Sequence, residues 1–130
     1  MSQYRVLVTG SRDCNTEKAR EAIQRQFDAL RDYGVATNVD VVIIHGGARG
    51  VDSIAHAEAK KRHFTTITVY PQWDDYENKR SAALDRNIAM ITEWSPAACL
   101  AFNAGSNGTG HQIDACTRYD VPVREISIPR

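Results

Sequence analysis

Hydrophobic positions along the chain follow two alternating periods. Short apolar or β-branched runs at 4–9 (YRVLVT), 41–45 (VVIIH), 65–70, 97–102 and 121–128 read as strands. Between the first two, Ala19, Ala22, Ile23, Phe27 and Leu30 recur at the spacing of an amphipathic helix over 15–32, with Asn15 or Thr16 as its cap. Further helices are predicted over 51–62, over 78–94, where Leu84, Ile88 and Ile91 share a face, and over 109–119. The 41–45 run is apolar throughout, as in a strand covered on both faces of a parallel sheet. The alternation predicts an α/β fold: a Rossmann-like parallel sheet of about five strands with helices on both faces. No repeat or linker interrupts it, so one domain is expected over 1–130.

In such sheets ligands bind beyond the carboxyl ends of the strands. The loops that follow helices hold Tyr33-Gly34, Arg62-His63, Ser95-Pro96 and Tyr119-Asp120, which is ordinary turn chemistry. The loops that follow strands hold Gly10-Ser11-Arg12, His45-Gly46-Gly47-Ala48-Arg49-Gly50, Pro71-Gln72-Trp73 and Gly105-Ser106-Asn107-Gly108-Thr109. Glycines between a strand and a helix start allow backbone amides to approach an anion, and the helix N-terminus adds about half a positive charge. Arg49 and Arg12 can supply guanidinium contacts, and Thr109 can cap its helix or bond a phosphate oxygen. The same residues also suit tight turns with solvated arginines, so each loop alone leaves both readings open. Their collection on one rim favours a ligand. Trp73 suits a base or a structural contact, Arg86 and Asn87 a phosphate or a solvated helix face, and Asp52 a ribose hydroxyl or its helix N-terminus. His45 reads as packed at its strand end, and His111 as capping or solvated. Cys14, near Arg12 and a helix start, is a weak candidate for an activated thiol.

Sixteen basic residues balance sixteen acidic ones, so no overall field draws the protein to nucleic acid or to a membrane surface. The three cysteines Cys14, Cys99 and Cys116 fit neither a disulfide framework nor a zinc site, and reduced thiols in a cytoplasm, of a cell or of a phage-infected host, are expected. No apolar run approaches a membrane span, and neither a metal site nor a cofactor is expected.

Gly10-Ser11-Arg12, the HGGARGVD stretch from His45 to Asp52, Pro71-x-Trp73, Arg86-Asn87-x-x-Met90, and Phe102 through Gly108-Thr109 together resemble the YspA, cpYpsA-related branch of the SLOG superfamily. The resemblance covers nearly the whole chain. That superfamily also holds the lonely-guy phosphoribohydrolases and the DNA-processing protein A family. The resemblance implies a Rossmann-like fold, often homo-oligomeric and sometimes phage-borne. It also implies binding of a nucleotide or nucleotide-derived ligand, either ADP-ribose-like or a nucleoside phosphate. Two departures stand out. Family members carry Ala-Gly-Pro ahead of the Arg-Asn pair, where this chain has Ala83-Leu84-Asp85. The phosphoribohydrolases carry PGGxGTxxE, and the glutamate position here is Gln112. N-glycoside cleavage builds positive charge on the sugar, which a carboxylate stabilises and a neutral amide does not. Asp114 lies roughly 200° further round the helix and is a poor substitute. The first expectation is therefore a binding module that senses or sequesters its ligand. A hydrolase using Asp52, Glu77 or Asp114 is the alternative, and a DNA-associated protein the third.

Overall fold

The chain folds as β1 (Gln3–Gly10), α1 (Glu17–Thr37), β2 (Asp40–His45), α2 (Val51–Lys61), β3 (Thr65–Thr68), α3 (Lys79–Thr92), β4 (Ala98–Asn103), α4 (Asn107–Arg118) and β5 (Val123–Ser127). The structure, a computed structural model, describes residues 2–72 and 79–129. Trp73 and Glu77 lie outside the described residues. The strands pair in parallel in the order β3-β2-β1-β4-β5.

That order dictates where the helices go. Crossovers between parallel strands are right-handed. Stepping from β1 through β2 to β3 places α1 and α2 on one face, and the return to β4 and β5 places α3 and α4 on the other. Val6, Val8, Val41 and Ile43 accordingly pack with Ile23, Phe27, Val51 and Ile54. Leu7, Val42 and Ile44 pack with Met90, Ile91 and Cys116. Covering both faces is what the continuously apolar β2 sequence anticipates.

Boundaries differ from expectation at two informative places. Helix α1 does not stop near residue 32 but runs to Thr37, with Asn38 capping it in the left-handed conformation (φ 55°) and donating its N–H to the Gly34 carbonyl. Gly34 is thus a packing glycine, not a turn: a Cβ there would press on the Val39 carbonyl at 3.1 Å and on Val41. Helix α4 begins at Asn107, two residues earlier than expected, because Ser106 and not Thr109 is its cap. The turns expected after the other helices do contain left-handed residues, His63, Ser95 and Asp120.

Helices α1 and α2 are braced by Glu58, which is 1% exposed. Its carboxylate meets Arg62 at 2.9 Å, Lys61 at 3.1 Å and Arg20 at 3.2 Å. Burial opposes its ionisation, but the hydrogen bonds from Arg62 and Lys61 win and bring its pKa from 4.5 down to about 2. Among the described residues no helix is long and apolar enough to cross a membrane.

Candidate functional site

Strand order reverses between β1 and β4, the switch point at which the connections leave in opposite directions and open a crevice. A cleft of about 360 Å³ lies there, lined by Thr9 and Gly10 of β1, Arg12, Ala48, Asp52, the α3 residues Ala83, Leu84, Arg86, Asn87 and Met90, and Ser106 through Thr109 with His111. The volume falls within the range of small-molecule sites, about 300–1,000 Å³. A second hollow of about 400 Å³ adjoins it, sharing Arg12, Ala48, Ala83 and Arg86 and adding Gly46, Gly47, Arg49, Tyr70 and Pro71. The two hollows share four lining residues, so both loops border one region, in which α3 supplies the apolar Ala83, Leu84 and Met90 as well as the polar Arg86 and Asn87.

The loop after β2 is organised from within. Asp52, on the first turn of α2, turns its Oδ2 back to accept the Gly46 amide at 3.1 Å and the Ala48 amide at 3.3 Å. His45 Nδ1 accepts the Gly47 amide at 3.0 Å. These three N–H groups are already committed, which corrects the expectation that they turn outwards to an anion. The glycines serve close packing instead. A Cβ on Gly46 would fall inside the Arg86 guanidinium, and one on Gly50 (φ 76°) would strike the Ser11 carbonyl. Gly10 is constrained likewise, since a Cβ would meet Val51 at 2.5 Å. Arg49 is exposed on the rim of the second hollow.

Arg86 reaches across from α3 and donates to the Gly46 carbonyl at 2.6 Å and to Asn87 Oδ1 at 3.0 Å. The departure from Ala-Gly-Pro ahead of it does not remove it from the site. Asp52 is 6% exposed. Burial raises its pKa from 3.8 to about 6, against the opposing pull of the Ala48 amide, Arg86, the Gly46 amide and Arg12. The result is a carboxylate that remains mostly ionised at neutral pH between two arginines. His45 is pushed the other way, from 6.5 to about 4, by burial, by His56 and by Arg86. His56 was not singled out from sequence, yet its Nδ1 lies 2.9 Å from His45 Nε2. Its place one turn into α2 after HGGARGVD is the only clue the chain offers.

The loop before α4 is built differently. Gly105 (φ 88°) turns the chain, and its amide donates to Asn103 Oδ1 at 2.7 Å. Ser106 Oγ accepts the Thr109 amide at 3.2 Å and bonds the Thr109 hydroxyl at 2.5 Å. Thr109 is 1% exposed and so acts as an inner brace of the cap. Asn107 and Gly108, the first two helical residues, have no intrahelical acceptor for their amides by the geometry of a helix start. A Cβ on Gly108 or Gly110 would meet nothing within 4 Å. Packing therefore gives no reason for glycine at either position, although each costs a helix about 1 kcal/mol relative to alanine.

Other candidates fall outside the cleft lining. Ser11 is fully buried, its carbonyl accepting the Val51 amide at 3.2 Å. Gln112 is also fully buried, and its Nε2 donates to the Asn87 carbonyl at 3.0 Å. Ser11 Oγ and Gln112 Oε1 are the buried side-chain polar atoms without a partner among the described residues. Asp114 is exposed. Cys14 is buried with its thiol 3.5 Å from the Pro129 carbonyl, a packing position that gives no support to a reactive role. Cys99 and Cys116 are free and buried, the pair in contact, with Cys99 pushed up and Cys116 down by their shared hydrogen bond. Among the described residues no group of three or more His, Cys, Asp or Glu side chains is placed to hold a metal.

The fold is shared with DNA processing protein A (DprA) from Streptococcus pneumoniae, at TM-score 0.71 and 17% identity over 93% of this chain. This chain spans about half of that one, 49%. It is shared too with the structural-genomics protein TM1055, at TM-score 0.67 and 15% identity, over 95% of this chain and 72% of the other. At the sequence level the chain is 35% identical to the Gene 61 protein of Mycobacterium phage D29, over 92% of this chain and 93% of that protein. Residues 4–76 match the YspA, cpYpsA-related SLOG family (YAcAr). These residues include all but the first residue of β1 and the whole HGGARGVD stretch, and with the 35% identity they establish that the chain belongs to the YspA, cpYpsA-related SLOG family.

Proposed function

We propose that the chain captures a nucleotide or nucleotide-derived ligand, ADP-ribose-like or a nucleoside phosphate, in the β1–β4 crevice, and that it senses or sequesters that ligand. One observation carries the reading. The open start of α4, with two amides that find no acceptor among the described residues and a glycine backed by empty space, faces a cleft that also holds Arg12 and Arg86. A phosphate fits such a place because it takes N–H donors and a helix dipole without needing a cation of its own. The ligand's base would lie along Ala83, Leu84 and Met90. Binding without cleavage is favoured because Gln112 is turned into the interior and does not line the cleft. Self-association and a reducing cytoplasm, suited to three free thiols, belong to the same proposal.

A second reading, N-glycoside hydrolysis, draws among the described residues on Asp52, a carboxylate within the cleft lining. DNA handling, suggested by the name of DprA, has against it a net charge of zero. The test is to purify the protein, denature it by heat and identify released small molecules by mass spectrometry, then to incubate refreshed protein with nucleoside monophosphates and ADP-ribose. A stoichiometric nucleotide-type molecule and unchanged probes are expected. Free base and sugar phosphate appearing at enzymatic rates would transfer the assignment to the hydrolase. Absence of binding to any phosphorylated probe would remove it.

A further inference from the structure

His111 is the fifth residue of α4 and lines the crevice. Its Nδ1 stands 3.2 Å from Asn87 Nδ2. The orientation of the Asn87 amide is decided by its other end, where Oδ1 accepts from Arg86 Nε at 3.0 Å, since a guanidinium can only donate. The amide nitrogen therefore faces the imidazole, and it too can only donate. Nδ1 must be the acceptor, which puts the ring proton of the neutral tautomer on Nε2. Arg86 is anchored in turn on the Gly46 carbonyl. A chain of three hydrogen bonds thus runs from the loop after β2, through a buried asparagine on α3, to a ring on α4.

We infer that His111 reads the ligand, donating Nε2–H to an oxygen of a phosphorylated sugar held at the start of α4, and that Asn87 is the positioning residue that fixes this polarity. The inference rests on the nucleotide reading above. Residues three and four apart share a helix face, so His111 stands above Asn107 and Gly108, whose amides have no intrahelical acceptor. Helical side chains lean towards the N-terminus, which carries the ring over that first turn. With Nδ1 occupied, Nε2 is the nitrogen left for a ligand, and as a donor it suits phosphate or hydroxyl oxygen.

The test titrates adenosine 5′-monophosphate and inorganic phosphate by calorimetry into wild type, His111→Ala, His111→Gln and Asn87→Asp. Thermal melts confirm folding, and ¹⁵N NMR of the imidazole reports the tautomer. His111→Ala is expected to weaken the nucleotide about tenfold, the loss of one hydrogen bond to a charged group. His111→Gln, which keeps an N–H donor, recovers most of that affinity. Asn87→Asp reverses the bond, because a carboxylate accepts from Nδ1–H. It moves the ring proton and weakens binding although the ring remains, an effect that a merely structural role for Asn87 does not produce. Wild type showing Nδ1–H, or nucleotide affinity unchanged within about twofold in His111→Ala and Asn87→Asp, overturns this inference alone. Failure of wild type to bind either of these probes, together with failure to bind ADP-ribose, overturns the nucleotide reading and takes this inference with it.

Discussion

Replacing Asp52 by asparagine should expose a pH dependence of stability that the native chain cancels internally. Asp52 and His45 sit on the same loop with pKa values displaced in opposite directions, 3.8 to about 6 and 6.5 to about 4. An acid whose pKa is raised on folding binds protons more tightly when folded. Its stabilising contribution is present below the unfolded value and is lost as pH rises through the folded value. A base whose pKa is lowered does the reverse, costing stability as pH falls from 6.5 towards 4. At about 1.36 kcal/mol per unit, moving from pH 7 to pH 4 gains roughly 2–3 kcal/mol from Asp52 and loses a similar amount from His45. The two nearly annul each other. Asparagine presents an oxygen where Oδ2 accepted the Gly46 and Ala48 amides, so the loop keeps its bonds while the titration disappears. Urea unfolding followed by circular dichroism at pH 7, 6, 5 and 4 should give a wild type that changes little from this pair. The variant should lose roughly 2–3 kcal/mol relative to it over that range, and should be the more stable protein at pH 7. Curves for the two proteins that stay parallel, within the roughly 10–15% extrapolation error, would refute the account of this loop.

Three further outcomes follow from local geometry. Gly108→Ala should raise stability by about 0.5–1 kcal/mol, measured by denaturant unfolding, because its Cβ enters open space and alanine favours the helix. The same change should weaken nucleotide binding, since that open space is the crevice. Gly50→Ala should instead destabilise by about 2 kcal/mol or more, because the residue holds a positive φ and its Cβ would strike backbone carbonyl atoms of Ser11 and Arg12. Glu58→Gln should cost about 3 kcal/mol at pH 7: the amide oxygen still accepts from Arg62, which also holds Asp28, but the buried negative charge shared by Arg62, Lys61 and Arg20 is lost. It should also flatten the loss of stability between pH 4.5 and about 2, where the depressed carboxylate of the native chain takes up its proton.

The parallel sheet was legible because periodicity survives in single residues: Val6 and Val8 face one layer of helices and Leu7 the other. The rim was legible too, since unusual residues follow strands and ordinary turn residues follow helices. The roles within the rim were not. Glycine in a β–α loop marks close approach without saying what approaches, and at Gly46 and Gly50 it is the Arg86 guanidinium and the backbone after β1. Asp52 lies only six residues after Gly46, yet nothing in the sequence says that its carboxylate turns back to the loop amides. Gly34 sits in a tyrosine-glycine pair that reads as a turn, but contacts with Val39 and Val41, formed only once β2 is in place, keep it helical. His111 draws attention only when Asn87, 24 positions away, is seen to hold its ring.

In the proposed function the crevice between β1 and β4 takes a phosphorylated ligand at the start of α4. Backbone amide NMR during titration with adenosine 5′-monophosphate tests it most directly. Large shifts are expected at Asn107, Gly108 and Arg12. The amides of Gly46, Gly47 and Ala48, already donated to Asp52 and His45, should move far less. Shifts confined to the far ends of the strands, or none at a saturating concentration, would contradict it.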